Sequence, residues 1–364
     1  MRVGVDTRWM EGTPRGMGKF AMQLVDPLID AGQLVGLSPG QGDTPRAFPM
    51  CRSRFGLYPL WEQCVLPRLA TAAGVDALLC PYNTGPMARV KGQYRIAIIH
   101  DLIFMDETPS EQRGSAYQRF GRQYRRRVVP TIARQADAVV TVSRHSMEQL
   151  VERLGVDERK ITVLPNAVPD QWIDGASRAA AARQNAFLAV SGDAPSKNLA
   201  GLLAAFAEAT HQLPSDFRLW IVGVPATSRD KFRTIAAANG VIDRVDFFGL
   251  LSEAELQGLY CTARALILPS LNEGFGIPLI EAMLSGLPIA ASNAGAVPEV
   301  VAGAALLFSP RDTAAMAGQM CRLADEVALC NQLAAAGKVR GESFMASRVR
   351  PAVERFWAQV AQSL

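Results

Sequence analysis

Histidine is scarce in this chain: three residues, at positions 100, 145 and 211, among 364. That leaves little for a His-rich metal centre. Cysteine is no more suggestive. The six thiols (Cys51, Cys64, Cys80, Cys261, Cys321, Cys330) show no Cys-x-x-Cys pairing, and a chain of this size needs no disulfide staples, so reduced and mostly buried thiols are expected, as in a cytosol. No apolar run approaches the roughly 18 residues that suggest a membrane span. The start, Met1-Arg2-Val3-Gly4-Val5-Asp6, reads as a strand and not as a signal peptide. Charge of one sign is also lacking: the net charge of +4 is too small to argue for nucleic acid as a partner. No Asp-x-Asp metal motif, repeat or low-complexity tract occurs. Nor does a Gly-x-Gly-x-x-Gly follow a strand with an acidic residue about 20 positions on, which argues against a dinucleotide-dependent dehydrogenase.

What the chain does have is length and alternation. A sequence of 364 residues exceeds what one hydrophobic core usually serves. Short apolar runs alternate with amphipathic segments, as in parallel α/β sheets. Strands are predicted at 2–5, 77–80, 95–99 and 138–142 in the first half. In the second half they are predicted at 187–191, 218–222, 245–248, 265–268 and 288–291. Helices are predicted at 199–210 and 253–262, the latter opened by a capping box of Ser252 and Glu255. Two prolines, a Trp and an Ala-rich run over 165–183 mark a linker. The predicted domains are 1–168 and 184–346, with a final helix at 347–364 carrying Val349, Val353, Phe356, Trp357 and Val360 at helical spacing. Two doubly wound parallel sheets are the expected architecture.

The most informative segment is 264–281, "RALILPSLNEGFGIPLIE". A strand ends at Pro269, a glycine-containing loop follows, and a helix starts near Pro278, whose fixed φ suits a first turn. Glu273 therefore sits at the carboxyl end of a strand, and Glu281 is expected in the first turn of the next helix. Ligands of open α/β sheets bind at that edge, and a helix start offers N–H groups to a phosphate. Gly274 and Gly276 permit close backbone approach. A carboxylate accepts two hydrogen bonds at once, which suits vicinal hydroxyls. Each glutamate alone has an ordinary explanation, as a dipole partner or a solvated loop residue.

The segment "EGFGIPLIE" (273–281) resembles the Glu-x7-Glu signature of the retaining glycosyltransferases of family four, which have the GT-B fold. The likeness continues through "FFGLLSEAELQGLY" (247–260), "SGLPIAASNAGAVPEVV" (285–301), "IIHDLIFMDETP" (98–109), "VSRHSMEQL" (142–150), "VLPNAV" (163–168) and "DTRWMEGTPRGMGKF" (6–20). It implies two Rossmann-like doubly wound domains facing a cleft, the first (1–168) binding the acceptor and the second (184–346) the nucleotide-sugar, with the C-terminal helix (347–364) crossing back to the first. It also implies residue roles. Glu273 would hold donor-sugar hydroxyls. The amides of Gly274, Phe275, Gly276 and Ile277 would hold the sugar and diphosphate, and Glu281 the ribose. Gly249 and Leu250 would meet the base, and His100 would lie beneath the anomeric carbon. Gly16 and Gly18 would approach the diphosphate, and Gly192 and Lys197 would lie at the same donor site.

One departure stands out. The family usually carries two basic residues near "PRKN", whereas this chain reads "SGDAPSKN" (191–198), with Lys197 present and Ser196 where arginine is common. Arg8, Arg15, Lys19 and Arg144 are candidates for the missing charge. The implied reaction is metal-independent transfer of a hexosyl group from a nucleotide-sugar substrate, with no cofactor and no nucleic acid. The motifs "RGMGKF", "LWEQCVLP" and "YNTGP" most resemble mannosyl- or rhamnosyltransferases of bacterial surface polysaccharide assembly, such as lipopolysaccharide. GDP-mannose is accordingly the expected donor, and a saccharide or lipid-linked saccharide the acceptor. The competing reading is a catalytically weak GT-B-like subunit serving as a partner or scaffold. Six arginines between 113 and 127, with Arg119, Arg122 and Arg126 sharing a helix face opposite Tyr117, Phe120, Tyr124 and Val128, predict attraction to an anionic membrane or lipid-linked acceptor. A cytoplasmic enzyme, peripheral at the inner face of the membrane, is expected.

Overall fold

Runs of Val, Ile, Leu and Ala that are buried on both faces form strands of two parallel sheets. The computed structural model describes residues 1–12, 16–40, 42–106, 116–172 and 183–364. The chain divides into two units. Met1–Glu107, Ser115–Ala167 and Val349–Leu364 form the first, and Val168–Arg348 the bulk of the second.

In the first unit the strands are β1 (Val3–Asp6), β2 (Leu34–Ser38), β3 (Met50–Arg52), β4 (Ala77–Cys80), β5 (Tyr94–Ile98), β6 (Ala138–Thr141) and β7 (Ile161–Val163). They hydrogen-bond in the order β3-β2-β1-β4-β5-β6-β7, all parallel. The second unit has β8 (Ala186–Val190), β9 (Arg218–Val222), β10 (Val245–Phe248), β11 (Ala265–Leu268), β12 (Ile289–Ser292) and β13 (Leu306–Phe308), in the order β10-β9-β8-β11-β12-β13. Each sheet is a doubly wound, Rossmann-like sheet, as expected. Its order reverses once, between β1 and β4 in the first and between β8 and β11 in the second. At such a switch point the loops leaving the two strands run to opposite faces and open a crevice beyond their carboxyl ends.

The core of the second unit packs the helices Leu199–Ala209 and Thr313–Asp325 on the sheet through Phe187, Phe206, Leu219, Ile221, Met316 and Met320. The helix Glu253–Thr262 begins with the expected reciprocal bonds of Ser252 and Glu255. The final helix, Ala346–Ser363, buries the predicted stripe of Val349, Val353, Phe356, Trp357 and Val360. Within the first unit its Trp357 Nε1 donates to the Leu24 carbonyl at 2.7 Å, and Arg350 pairs with Asp30 at 2.6 Å. No helix among the described residues is long and apolar enough to cross a membrane.

Candidate functional site

At the switch point of the second unit, the loop leaving β8 carries Lys197 and the loop leaving β11 carries Glu273. Asn198 ties the two together. Its backbone takes the left-handed conformation, φ 55°, and its side-chain amide donates to the carbonyls of Pro269 at 3.0 Å and Pro310 at 2.7 Å. Leu271 N–H donates to the Ser196 carbonyl at 2.7 Å. Lys197 Nζ is thereby brought to 2.7 Å from Glu273 Oε1, which also accepts from Ser270 Oγ at 2.7 Å. The glutamate is buried, while the lysine side chain keeps 34% of its exposure. A charge-assisted contact of this kind fixes both groups at the sheet edge.

Two glycines let the backbone close around Glu273. Gly276 precedes the helix Ile277–Leu284 at φ 97°, and a Cβ there would lie 2.9 Å from Leu279 Cδ1. Gly295, in the loop after β12, sits at φ 62°, and a Cβ there would lie 2.3 Å from the Glu273 carbonyl oxygen. The same oxygen accepts from Ala296 N–H at 2.9 Å. Gly274 and Phe275 are buried in this loop, which leads into Ile277.

Glu281 is the fifth residue of that helix, so it lies beyond the first turn in which it was expected. The helix-dipole effect falls off within the first turn, so the dipole does not account for this buried charge. Its Oε2 accepts from Tyr260 Oη at 2.7 Å. Burial and the neighbouring carboxylate hold the Tyr260 hydroxyl well above its ordinary pKa, so it remains a donor. Trp172 closes the cluster: its Nε1 donates to Ser285 Oγ at 2.9 Å, and its ring meets that of Tyr260 edge-on, with centroids 5.7 Å apart.

The remaining second-unit residues lie along the same carboxyl edge. Gly192 follows β8 with open space where a Cβ would be. Gly249 and the exposed Leu250 follow β10. A Cβ on Gly249 would lie 2.8 Å from Arg229 Nη2. Arg229, whose Nε donates to the Val224 carbonyl at 3.2 Å, is thus a second cation at this edge. It has no place in the "PRKN" pattern because it comes from the start of a different helix, Ala226–Ala238, more than 30 residues further along the chain. Tyr260, Trp172, Ser270, Asn198 and Gly295 were overlooked too, since each acts through a contact with a residue distant in sequence or through its own backbone.

In the first unit, Gly16 caps the helix Met17–Asp30 at φ 35°, and Gly18 is buried in its first turn. His100 lies two residues past the end of β5, at the carboxyl edge of the sheet. Its backbone N–H donates to Asn83 Oδ1 at 2.6 Å, its ring packs edge-on to Phe20, and its Nε2 is 3.1 Å from the Pro81 carbonyl. Burial pushes the imidazole down to about 4, so it is neutral and donates that proton. A histidine titrating near 6.5 when unfolded binds its proton sooner there, so stability falls as pH drops from about 6.5 to about 4. The loss expected is about 3 kcal/mol. Denaturant midpoints across this range, with His100→Gln alongside, check it: the variant should lose that part of the acid sensitivity.

Arg8 is not a spare cation, because its guanidinium is held by Asp6 and Glu62. Arg15 lies outside the described residues. Arg122 and Arg126 do not form a free basic face with Arg119. Arg122 Nε donates to the Phe104 carbonyl at 2.8 Å, Arg126 Nε to the same oxygen at 3.0 Å, and Arg126 Nη2 to the Met105 carbonyl at 3.0 Å. Arg122 also reaches the Asp106 carbonyl. A guanidinium presents several N–H donors in a fixed fork, which suits the carbonyls clustered at the end of the turn Ile103–Met105. Of the three, Arg119 alone is exposed and the other two are half-buried, while Phe120, assigned to the opposite face of the helix, is exposed as well.

Residues 170–340 match the family described as "Glycosyl transferases group 1", and residues 15–172 match "Glycosyltransferase Family 4". The chain is 32% identical over 197 residues to the MMP alpha-(1->4)-mannosyltransferase of Mycolicibacterium hassiacum, covering 53% of this chain and 47% of that protein. It is 32% identical over 175 residues to the O-antigen chain mannosyltransferase RfbU of Salmonella typhimurium, covering 48% and 47%. The chain thus spans about half the length of these curated relatives. Among solved structures, the sucrose-phosphate synthase of Thermosynechococcus elongatus superposes with a TM-score of 0.78 over all of both chains at 19% identity, a likeness of fold.

Proposed function

The chain belongs to the glycosyltransferases of group 1 and family 4, and on that premise we propose that it moves a sugar from a nucleotide-sugar donor to a saccharide or lipid-linked saccharide acceptor, with retention at the anomeric carbon. The observation that carries this reading is the Lys197–Glu273 pair at the switch point of the second sheet, with buried Glu281 on the helix that follows. In this reading Glu273 accepts from donor-sugar hydroxyls, and Glu281 accepts from the ribose. Lys197, Arg229 and the amides at the start of the helix Ile277–Leu284 stabilise the leaving diphosphate. The reaction is read as metal-independent, with these cations and amides meeting the charge that develops on the leaving diphosphate. Attack from the donor's front face, with the leaving phosphate taking the acceptor's proton, requires no protein nucleophile.

Mannose from GDP-mannose is the proposed donor group, since both relatives named above are mannosyltransferases. A thermal-shift screen of GDP, UDP, ADP and dTDP tests the base, because a ligand that binds the folded state raises its melting temperature. NMR of the transfer product tests the anomeric outcome. Donor hydrolysis by the purified chain separates the enzyme from a catalytically weak partner subunit: no hydrolysis or transfer with the hexose derivatives of GDP, UDP, ADP and dTDP would sink the proposal.

Lys197→Ala is expected to weaken donor binding by about tenfold or more, the weight of one charge-assisted hydrogen bond. Ser196→Arg, placed in that background, should recover part of the loss. Calorimetric titration of both variants with the nucleoside diphosphate decides. If Ser196→Arg restores nothing, Arg229 already supplies the second charge.

A further inference from the structure

The switch point of the first sheet carries a second built cluster. Arg8 and Trp9 follow β1, and Tyr82 and Thr84 follow β4, the two strands between which the sheet order reverses. Glu62 comes from the turn Trp61–Val65 and Tyr58 from the segment before it. Arg8 Nε donates to Asp6 Oδ2 at 2.8 Å, and its Nη2 lies 2.7 Å from Asp6 Oδ2 and 3.1 Å from Glu62 Oε1. The guanidinium also stacks over the Tyr58 ring, 4.6 Å from its centroid. Glu62 is fully buried and accepts from Thr84 Oγ1 and Tyr124 Oη, both at 2.5 Å.

Such a network is poor value as a stabilising device, since a buried ion cluster often does no better than apolar residues of the same volume. What it does achieve is to fix one side chain, Arg8, whose remaining 12% exposure lies at the edge where ligands of doubly wound sheets bind. Beside it stands Trp9, 53% exposed, whereas Trp61, Trp172, Trp220 and Trp357 are all buried. Trp9 is also held: its backbone N–H donates to Tyr82 Oη at 3.2 Å, and its ring meets Tyr82 edge-on with centroids 6.3 Å apart. A large apolar ring kept in water beside an immobilised donor is a surface with one hydrophobic and one hydrogen-bonding part. One guanidinium facing two carboxylates leaves no surplus positive charge, so the cluster is not suited to a phosphate.

We infer that Arg8 and Trp9 form a subsite for a neutral sugar ring, with Trp9 covering its C–H face, Arg8 donating to its hydroxyls, and Asp6, Glu62 and Tyr82 acting as positioning residues. This rests on the glycosyltransferase reading for its role, as the place of the acceptor. The chemistry that selects the ligand is that of an uncharged pyranose.

The test is NMR of the indole N–H groups in the full chain, titrated with neutral saccharides of mannose, glucose, galactose, rhamnose and N-acetylglucosamine, and with mannose 6-phosphate. At least one neutral sugar should shift the Trp9 signal and leave the four buried indoles in place, and mannose 6-phosphate should bind more weakly than mannose. Trp9→Ala, at an exposed position where folding is not at stake, and Arg8→Lys, which keeps the charge but loses the fork, should each weaken saccharide binding by about tenfold. Glu62→Gln should weaken it less and raise the acceptor KM more than it lowers kcat. Nucleoside diphosphate affinity, measured on the same samples, should stay unchanged. Saccharides that leave Trp9 untouched, or phosphorylated sugar binding more tightly than neutral, would overturn the subsite even if transfer activity is found. A shifted Trp9 without transfer from any donor would sustain the subsite and reject the glycosyltransferase reading instead.

Discussion

A Glu273→Gln variant is expected to turn over about a hundredfold more slowly than the wild type, the scale seen when one preorganised polar group is removed from a reacting centre. The geometry makes the change specific. Gln keeps the length of the side chain and an oxygen that can accept from Ser270 Oγ, but it cannot neutralise Lys197 Nζ, now 2.7 Å from the carboxylate. Lys197 remains partly exposed, so water solvates the ammonium in the variant and the fold should lose little. Free nucleoside diphosphate should bind within a factor of about two of wild type, because the proposed contact is to the sugar. Steady-state rates with calorimetric titration of the nucleotide are the measurement. Wild-type turnover in the variant removes Glu273 from the reaction.

Glu281 is expected to behave in the opposite way, with nucleotide affinity falling about ten- to a hundredfold in Glu281→Gln, equivalent to one hydrogen bond to a charged group. The glutamine variant is the informative one. Truncation to alanine would leave the buried Tyr260 hydroxyl without its acceptor, a penalty of about 1–3 kcal/mol paid in stability. Weakened nucleotide binding in Glu281→Ala would then report unfolding as much as a lost contact. Glutamine still offers Tyr260 an oxygen, so a fall in affinity at an unchanged melting temperature isolates the ligand contact. Unchanged affinity in Glu281→Gln would mean that the carboxylate serves only to seat Tyr260 and Trp172. The two glutamates therefore differ in what their loss should do: one in rate, the other in binding.

The sequence by itself determined the layers, the ladder of central strands and the identity of the two carboxylates. Strands such as Ala77–Cys80, Ala265–Leu268 and Ile289–Ser292 are buried on both faces, so their apolar runs are unbroken and visible in one dimension. Glu273 and Glu281 were legible because the strand, the glycine loop and the Pro278 helix start are consecutive, and local chemistry fixes each of them. Leu34–Ser38, Met50–Arg52, Ile161–Val163 and Leu306–Phe308 were not: the first has a central glycine, and the other three are only three residues long, edge-ward strands whose pairing depends on a neighbour already in place. Tertiary structure alone decided which partners the charged groups take. Arg122 and Arg126 looked like a basic face by helical period, yet the carbonyls of a turn about 20 residues earlier claim them. Arg8 looked like a free cation, yet Glu62, 54 residues on, shares its guanidinium with Asp6. A hydrogen bond is formed across space at about 3 Å whatever the sequence separation, so periodicity can tell which way a side chain points but not what meets it there.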